Sequence, residues 1–217
     1  MSLSEKTVER LLRCRRELLK YQYVDKPHVF SNDLARILNI RPEQLRQDLM
    51  STGIAAGSNR NGYDVNVLIK AIEEKTGLNN MRKTAFVGDV SLVDVYKTFT
   101  DSGLIEFSID AIFNFSITVQ SHHGVPCFTL DKMPEIIPGK KIEIVVVAVC
   151  ADLVRDVIDT ILLCGIKGIV NLSSEYILPI PGVQVENYDL LSAIEKVNFL
   201  IKKEAELEEI ISKNKAK

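Results

Sequence analysis

A run of nearly uninterrupted apolar residues in the second half of the chain restricts the folds open to it. Residues 142–149 contain a single charged side chain, that of Glu143. The run is far shorter than the roughly 20 residues needed to cross a membrane, and it is typical of a parallel strand that is buried on both faces of its sheet. The sequence therefore predicts an α/β fold with a parallel sheet.

The segments around this strand alternate between strand and helix patterns over residues 84–190, which predicts a Rossmann-like domain. Further strands are expected at residues 84–87, 109–113, 125–127, 167–171 and 183–185, and helices at residues 92–102 and 152–164.

The first eighty residues show short helical patterns instead. Helices are expected over about residues 5–21, after Ser31 as an N-cap, and from Pro42 at a first helical position. The two short helices and the turn between them form a helix-turn-helix pattern, whose second helix enters the major groove in DNA-binding proteins. A segment rich in Gly, Ser and Asn at residues 53–65 predicts a wing, and a last helix is expected to stop at Gly77.

Charge is distributed unevenly between the two halves. Residues 1–80 carry 13 Lys and Arg against 10 Asp and Glu, whereas the remainder carries 14 against 19. A basic N-terminal part followed by an acidic remainder of the chain is consistent with DNA binding. Gln44, Arg46 and Gln47 are expected to face outward, where Arg can pair with guanine and Gln with adenine. A plain helical hairpin with a solvated polar face is the alternative interpretation.

The cysteines and histidines do not predict a metal site. The four cysteines are widely spaced and form no C-x-x-C pair, so buried, reduced thiols are expected. His122 and His123 precede a turn at residues 124–126, and we expect them to be exposed loop residues rather than ligands.

Several short motifs occur in the order and at the spacing of a known family. In the first domain they comprise Ser31, Leu34, Ala35, Gln44, Arg46, Asp48, Leu49, Gly53 and residues 62–65. In the second domain they comprise residues 124–126, 148–149, 165–171 and 189–190. On these motifs the chain resembles the Rex family of redox-sensing transcriptional repressors over about residues 8–200.

The resemblance implies three parts: a winged-helix DNA-binding domain over residues 1–80, a Rossmann-like sensor domain over residues 81–190, and a dimerisation helix over residues 191–217 that is swapped between subunits. It also implies a homodimer on a palindromic operator in double-stranded DNA, with NAD(H) as effector. The DNA-contacting residues that it implies are Arg10, Arg16, Ser31, Gln44, Arg46, Gln47, Arg60, Gly62 and Tyr63.

The cofactor loop departs from the family pattern. Dinucleotide-binding domains carry G-x-G-x-x-G after the first strand, and the segment here is Gly88-Asp89-Val90-Ser91-Leu92-Val93, which keeps the first glycine alone. Asp89 and Val90 both oppose a pyrophosphate at a helix N-terminus. Asn114 stands where an acidic residue usually holds the ribose. Two interpretations stay open: the sensor has lost NADH, or it binds a nucleotide in an altered pose.

A network that joins the two domains in the family is also altered. The matching positions are Arg16, Phe99 and Asp189, and the family has a Tyr where Phe99 stands. Without that hydroxyl the family's network cannot switch in its usual form, although Arg16 and Asp189 could still couple the first domain to the second. Two unrelated surface charges are the alternative.

An apolar stripe runs along the helix expected over residues 190–214. Its members are Leu191, Ile194, Val197, Leu200, Ile201, Ala205, Leu207 and Ile211. The stripe must be buried on its own domain or on a partner, and the resemblance favours the partner.

These observations predict a dimeric, sequence-specific DNA-binding repressor in the cytoplasm that responds to NADH and NAD, with nucleotide sensing altered or lost. The sequence shows no signal peptide, no membrane span and no catalytic grouping, so an enzyme is not expected. The alternative function is a nucleotide-binding enzyme or accessory protein whose N-terminal helices serve dimerisation alone.

Overall fold

The computed structural model describes residues 3–53, 62–100, 109–116 and 120–215, apart from the side chains of residues 96–100, 209–210 and 212–215. The chain forms two compact units. Met1–Met81 make up most of the first, and Arg82–Tyr96 together with Ser108–Lys217 make up the second.

The first unit has the helix and strand order of a winged helix. Its helices are α1 (Glu5–Tyr23), α2 (Ser31–Leu38), α3 (Pro42–Met50) and α4 (Val65–Thr76), and its strands are β1 (His28–Val29) and β2 (Tyr63–Asp64). The two strands pair antiparallel. The helix-turn-helix pattern predicted from the sequence is confirmed, with α3 as its second helix.

Polar caps and a glycine fix the ends of these helices. The Ser4 hydroxyl accepts from the Thr7 amide at the start of α1, and the Asp64 carboxylate accepts from the Val67 amide at 2.9 Å at the start of α4. Gly77 ends α4 with φ +77°, as predicted. The expectation that Ser31 is an N-cap is wrong, because α2 already begins at Ser31.

A cluster of mainly aliphatic side chains from all four helices forms the core of this unit. Its fully buried members include Leu11, Cys14, Leu18, Leu34, Ala35, Leu45, Leu49, Leu68 and Ile72. These residues recur at helical spacing, so one stripe of each helix is removed from water.

The second unit is a doubly wound α/β domain. Its strands are β3 (Thr84–Gly88), β4 (Ile109–Asn114), β5 (Ser121–His122), β6 (Val125–Thr129), β7 (Ile144–Ala148), β8 (Gly168–Asn171) and β9 (Gln184–Asn187). Its helices are α5 (Val90–Thr100), α6 (Met133–Lys140), α7 (Ala151–Leu163) and α8 (Leu190–Lys215).

The strands form one sheet in the order β5-β6-β4-β3-β7-β8-β9, and every pair except β5–β6 is parallel. Apart from the edge strand β5, this is the strand order of a Rossmann fold. Strand β7, which the apolar run predicted, lies at the centre, and Val145, Val146 and Val147 are buried. The prediction of a Rossmann-like parallel sheet is confirmed.

The sequence pattern missed helix α6. Its sequence, MPEIIPGK, contains two prolines and a glycine, which normally mark turns. Pro134 lies in the first turn of the helix, where it costs no hydrogen bond, and Met133 and Ile137 are buried against the sheet. Tertiary packing therefore outweighs the local propensity of this segment.

The four cysteines differ in how accessible they are. Cys14 is fully buried and its pKa is raised to about 12 by burial, whereas Cys150 is exposed. Because the thiolate is the reactive species, we expect Cys150 to react with an aromatic disulfide at pH 8 and Cys14 to react only after unfolding. Burial also raises the pKa of Cys127 and Cys164.

The measurement is the time course of thiol release from native protein, with Cys150→Ser as the control. The variant should lack the fast phase. A fast phase that persists in Cys150→Ser would contradict this assignment of accessibility.

Among the described residues, no helix combines the length and the apolar character needed to span a membrane.

Candidate functional site

The outer surface of α3 carries the side chains that the sequence placed in a DNA groove. Gln47 is exposed and Arg46 is partly exposed. Arg46 donates one bond to the Glu43 carboxylate at 2.8 Å and another to the Ser31 hydroxyl at 3.3 Å. These contacts orient the guanidinium across the start of α2, so its position on the surface is defined before any ligand binds.

Arg10 and Gln44 have partners inside the first unit. Arg10 donates from Nε and Nη2 to the Asp48 carboxylate at 2.6 and 2.9 Å, and Gln44 Nε2 donates to the same group at 3.0 Å. Asp48 is 3% exposed, and its hydrogen bond to Arg10 raises the pKa of the guanidinium. These bonds join α3 to α1 inside the first unit, and the expectation that Arg10 and Gln44 contact DNA stays a prediction.

Two residues at the base of the wing are also structural. Tyr63 is only 7% exposed and belongs to the core of the first unit, and its contact with DNA stays a prediction. Gly62 has φ +69°, and a Cβ there would lie 2.5 Å from the Val29 carbonyl oxygen. Arg60 falls within residues 54–61, outside the described part of the chain. Arg16 is exposed on α1.

In the second unit, residues 88–93 run from the last residue of β3 through Asp89 into the first turn of α5, and we call this segment the sensor loop. Gly88 has φ +152°, and a Cβ at this position would lie 2.3 Å from the Ala148 carbonyl oxygen on β7. Only glycine fits this close approach of two strands. The one glycine that remains from the fingerprint is therefore required by the sheet itself.

A carboxylate occupies the N-terminus of α5. Asp89 Oδ1 accepts from the Ser91 amide at 2.9 Å and from the Ser91 hydroxyl at 2.7 Å. These two bonds lower the pKa of Asp89, so the charge opposite the positive end of the helix dipole is retained at neutral pH. In dinucleotide-binding proteins the pyrophosphate takes this position.

Two valines replace the second and third glycines of the fingerprint. Val93 is 1% exposed and packs in one apolar cluster with Phe86, Ile112 and Val146, and Val90 packs against the same cluster. The third glycine normally permits close approach of helix and strand, whereas here a side chain fills that space.

The end of β4 offers an amide in place of an acid. Asn114 Oδ1 accepts from the next amide, that of Phe115, at 2.6 Å. Its oxygen is therefore directed at its own backbone, and the charged acceptor that holds a ribose in the fingerprint pattern is missing from this position.

A cavity of about 710 Å³ lies next to the sensor loop, near the carboxyl ends of β8 and β9. Leu92, Val170 and Leu172 contribute apolar walls, and Glu186 and Tyr188 add polar groups. Its size suits a small organic molecule, and ligands of open α/β sheets bind at this end of the strands.

Asp189 caps the last helix. Its carboxylate accepts from the Ser192 amide at 3.1 Å and the Ser192 hydroxyl at 2.5 Å, which lowers the pKa of Asp189. The side chain of Phe99 is outside the described part of the chain, and Arg16 belongs to the first unit.

The structure brings together three side chains that the sequence gave no reason to associate. Asp94 on α5 lies beside His122 at the end of β5 and His123 in the turn that follows. His122 is half-buried in an edge strand, so the expectation of two exposed loop histidines is wrong for it. Asp94 and His122 are 28 positions apart in the sequence, so the spacing of residues along the chain could not reveal the cluster.

Comparison with known proteins agrees with this architecture. A family model described as a CoA binding domain matches residues 79–175. The redox-sensing transcriptional repressor Rex of Treponema denticola is 32% identical over 81% of this chain and 84% of its own length. The Rex repressor of Rhodopirellula baltica is 29% identical over 92% of this chain and 84% of its own length.

Solved structures of RSP, a Rex-family repressor, share the fold. One has a TM-score of 0.78 at 23% identity and covers 97% of this chain and 99% of its own. A second, in complex with β-NAD+ and operator DNA, has a TM-score of 0.80 at 20% identity and covers 97% of each chain.

A winged-helix unit followed by a doubly wound sheet and a long terminal helix is the fold that this chain shares with those solved structures. The chain belongs to the Rex family of redox-sensing transcriptional repressors.

Proposed function

We propose that this chain is a homodimeric repressor that binds a palindromic operator in double-stranded DNA, acts in the cytosol where the chromosome is, and is not an enzyme. The observation that carries the proposal is a winged-helix unit whose second helix-turn-helix helix presents Arg46 and Gln47 outward. A solved relative was crystallised with operator DNA.

The residues of the first unit divide into two roles. Arg46 and Gln47 read base edges, because Arg and Gln can each make paired hydrogen bonds to one base. Arg16 and Arg60 contact the phosphate backbone, whereas Arg10 and Gln44 position α3 through Asp48.

Selection of bound fragments from the genome tests this function, followed by gel shift over a salt series. Arg46→Ala should weaken operator binding by at least about tenfold, since a bidentate base contact is worth about 1–3 kcal/mol. Arg155→Ala, which removes the same charge from an exposed position on α7, is the matched control and should leave binding unchanged. Failure to enrich any fragment would overturn the proposal.

The sensor loop does not fit a pyrophosphate in the usual pose. A solved relative binds β-NADH. Here the Asp89 carboxylate already accepts the hydrogen bonds that phosphate oxygens would take. Val90 also places a side chain where the fingerprint has a glycine that lets the backbone approach the pyrophosphate. We infer that NADH binds this chain more weakly than a Rex repressor with an intact fingerprint. The cavity of about 710 Å³ beside Leu92 supports an altered nucleotide pose as the second candidate.

Removing the two side chains of the sensor loop that oppose a phosphate should restore nucleotide affinity. The double substitution Asp89→Ala and Val90→Gly removes the competing charge and the side chain but leaves Val93 in the core. We expect NADH affinity, measured by calorimetry, to rise by at least about tenfold, or 1.4 kcal/mol. The matched control is Asp152→Ala, which removes an acid from the first turn of α7 and should change nothing. Equal NADH affinity in the double variant and wild type would contradict the inference.

The dimer is formed by α8. Every described side chain from Tyr188 to Glu208 is exposed, including large apolar residues that are 49–74% exposed. An apolar stripe of this length on a soluble regulator requires a cover, and a two-fold pairing of subunits matches a palindromic operator.

A further inference from the structure

Three metal-ligating side chains of the second unit converge on one point. Asp94 Oδ1 lies 2.6 Å from His122 Nε2 and 2.6 Å from His123 Nε2. The three ligand atoms all lie within 4.8 Å of one another. The two imidazole rings meet edge to face, with centroids 4.5 Å apart.

The turn between β5 and β6 makes this convergence possible. Neighbouring side chains in a strand point to opposite faces of the sheet, so two consecutive histidines would normally diverge. Here His123 has φ +49° and Gly124 has φ +78°, the positive values of a two-residue hairpin turn. A left-handed conformation is uncommon for residues other than glycine, although histidine adopts it more often than most. In this turn it brings the His123 ring to the side on which His122 and Asp94 lie.

We propose that Asp94, His122 and His123 bind a divalent transition-metal ion of the Zn²⁺ class. Two imidazoles and one carboxylate form a common donor set for such ions, and three protein ligands leave positions open for water or another ligand. The site stands whether or not the chain binds an operator.

The geometry requires little rearrangement to accept an ion. Bonds of about 2.0 Å to a tetrahedral centre place ligand atoms about 3.3 Å apart. The distance from Asp94 Oδ1 to each Nε2, now 2.6 Å, must therefore increase by less than about 1 Å. Asp94, His122 and His123 are 50%, 23% and 42% exposed, so an ion can enter from solvent. The ligands come from two different elements, α5 and the β5–β6 hairpin.

Binding at this position would fasten α5 to the edge of the sheet. Asp94 lies one residue beyond the sensor loop, whereas the histidines lie on the outermost hairpin. The ion would therefore restrain the helix that begins at the sensor loop. Without an ion, Asp94 and the two histidines are joined by imidazole–carboxylate hydrogen bonds, which are weak between exposed partners.

Titration of tag-free, chelator-treated full-length protein with Zn²⁺ and Co²⁺ tests the site. Calorimetry should give one Zn²⁺ per chain with a Kd of about 10 μM or tighter, and Co²⁺ should produce visible absorption of a site with nitrogen and oxygen ligands. Zn²⁺ should also raise the Tm.

The variants separate this site from other ligands of the chain. His123→Asn retains a residue that tolerates the left-handed turn but removes an imidazole, and Asp94→Asn keeps the side-chain shape. Each should weaken Zn²⁺ binding by at least about tenfold. His28→Ala and Cys150→Ser, at exposed positions elsewhere, should bind as wild type does.

Three outcomes would overturn the proposal: no Zn²⁺ binding below about 1 mM, binding that His123→Asn and Asp94→Asn leave intact, or binding that Cys150→Ser abolishes. Thermal unfolding of the metal-free variants shows that each is folded, so loss of binding reports on the ligands themselves.

Discussion

Substitution of Arg10 by alanine is expected to lower the free energy of unfolding of the first unit by about 3 kcal/mol. The substitution leaves the Asp48 carboxylate, 3% exposed, without the guanidinium that donates to both of its oxygens. Among the residues that the structure describes, Gln44 then remains as the side-chain donor to it. Losing one partner of a buried ion pair is costly because the other charge stays desolvated.

Hydrogen exchange of the full chain, followed by peptide mass spectrometry, measures this loss in α1 and α3 separately from the second unit. Arg16→Ala, at an exposed position on the same helix, is the matched control and should change the opening free energy by less than about 0.5 kcal/mol. A variant of Arg10 that exchanges like Arg16→Ala but loses operator binding would instead place Arg10 in direct contact with DNA.

Charges introduced into the apolar stripe of α8 should convert the dimer to monomers. Ile194 and Ile201, seven residues apart, are 58% and 63% exposed in a single chain, and burial of each in a dimer contributes about 1.5–3 kcal/mol. Ile194→Asp with Ile201→Asp should therefore raise the dissociation constant of the dimer by at least about 100-fold. Operator affinity should fall with it, since each half-site is then bound separately.

Sedimentation equilibrium gives the oligomeric state directly. Lys196→Asp with Lys203→Asp places two aspartates at the same spacing on the opposite side of the helix and should leave the dimer intact. If wild-type protein sediments as a monomer, or if the isoleucine variant still sediments as a dimer, α8 is not the interface.

The positions of most Rossmann strands along the chain could be predicted, because each strand depends on a local sequence pattern. The apolar run around Val145 identifies a central strand without tertiary information, and Gly77 and Pro42 mark helix ends by backbone conformation alone. Helix α6 and strand β5 could not be found, since prolines obscure the first and the second has only two residues.

The functional residues were harder to assign than the fold. Position along a motif does not show that Arg10 and Gln44 share a buried partner inside the first unit. Asp48 provides that partner, 38 residues away from Arg10. The cluster of Asp94 with His122 and His123 depends in the same way on how the hairpin packs beside α5.

The sensor loop shows what the structure adds to a motif comparison. The missing glycines indicate weakened phosphate binding, but the sequence does not say what replaces the phosphate. The Asp89 carboxylate caps α5 and Val93 fills the space beneath it, so the loop is stabilised without a nucleotide. A Rossmann domain of this kind retains its fold after its fingerprint has changed.

We infer that the chain binds an operator through its winged-helix unit, as a Rex repressor does, but does not bind NADH in the usual pose. Fluorescence anisotropy of the wild-type protein on its selected operator, titrated with NADH, tests it most directly. We expect the complex to be unchanged up to about 100 μM NADH, since a ligand that binds weakly cannot shift the equilibrium. Release of the operator by NADH within this concentration range would contradict it.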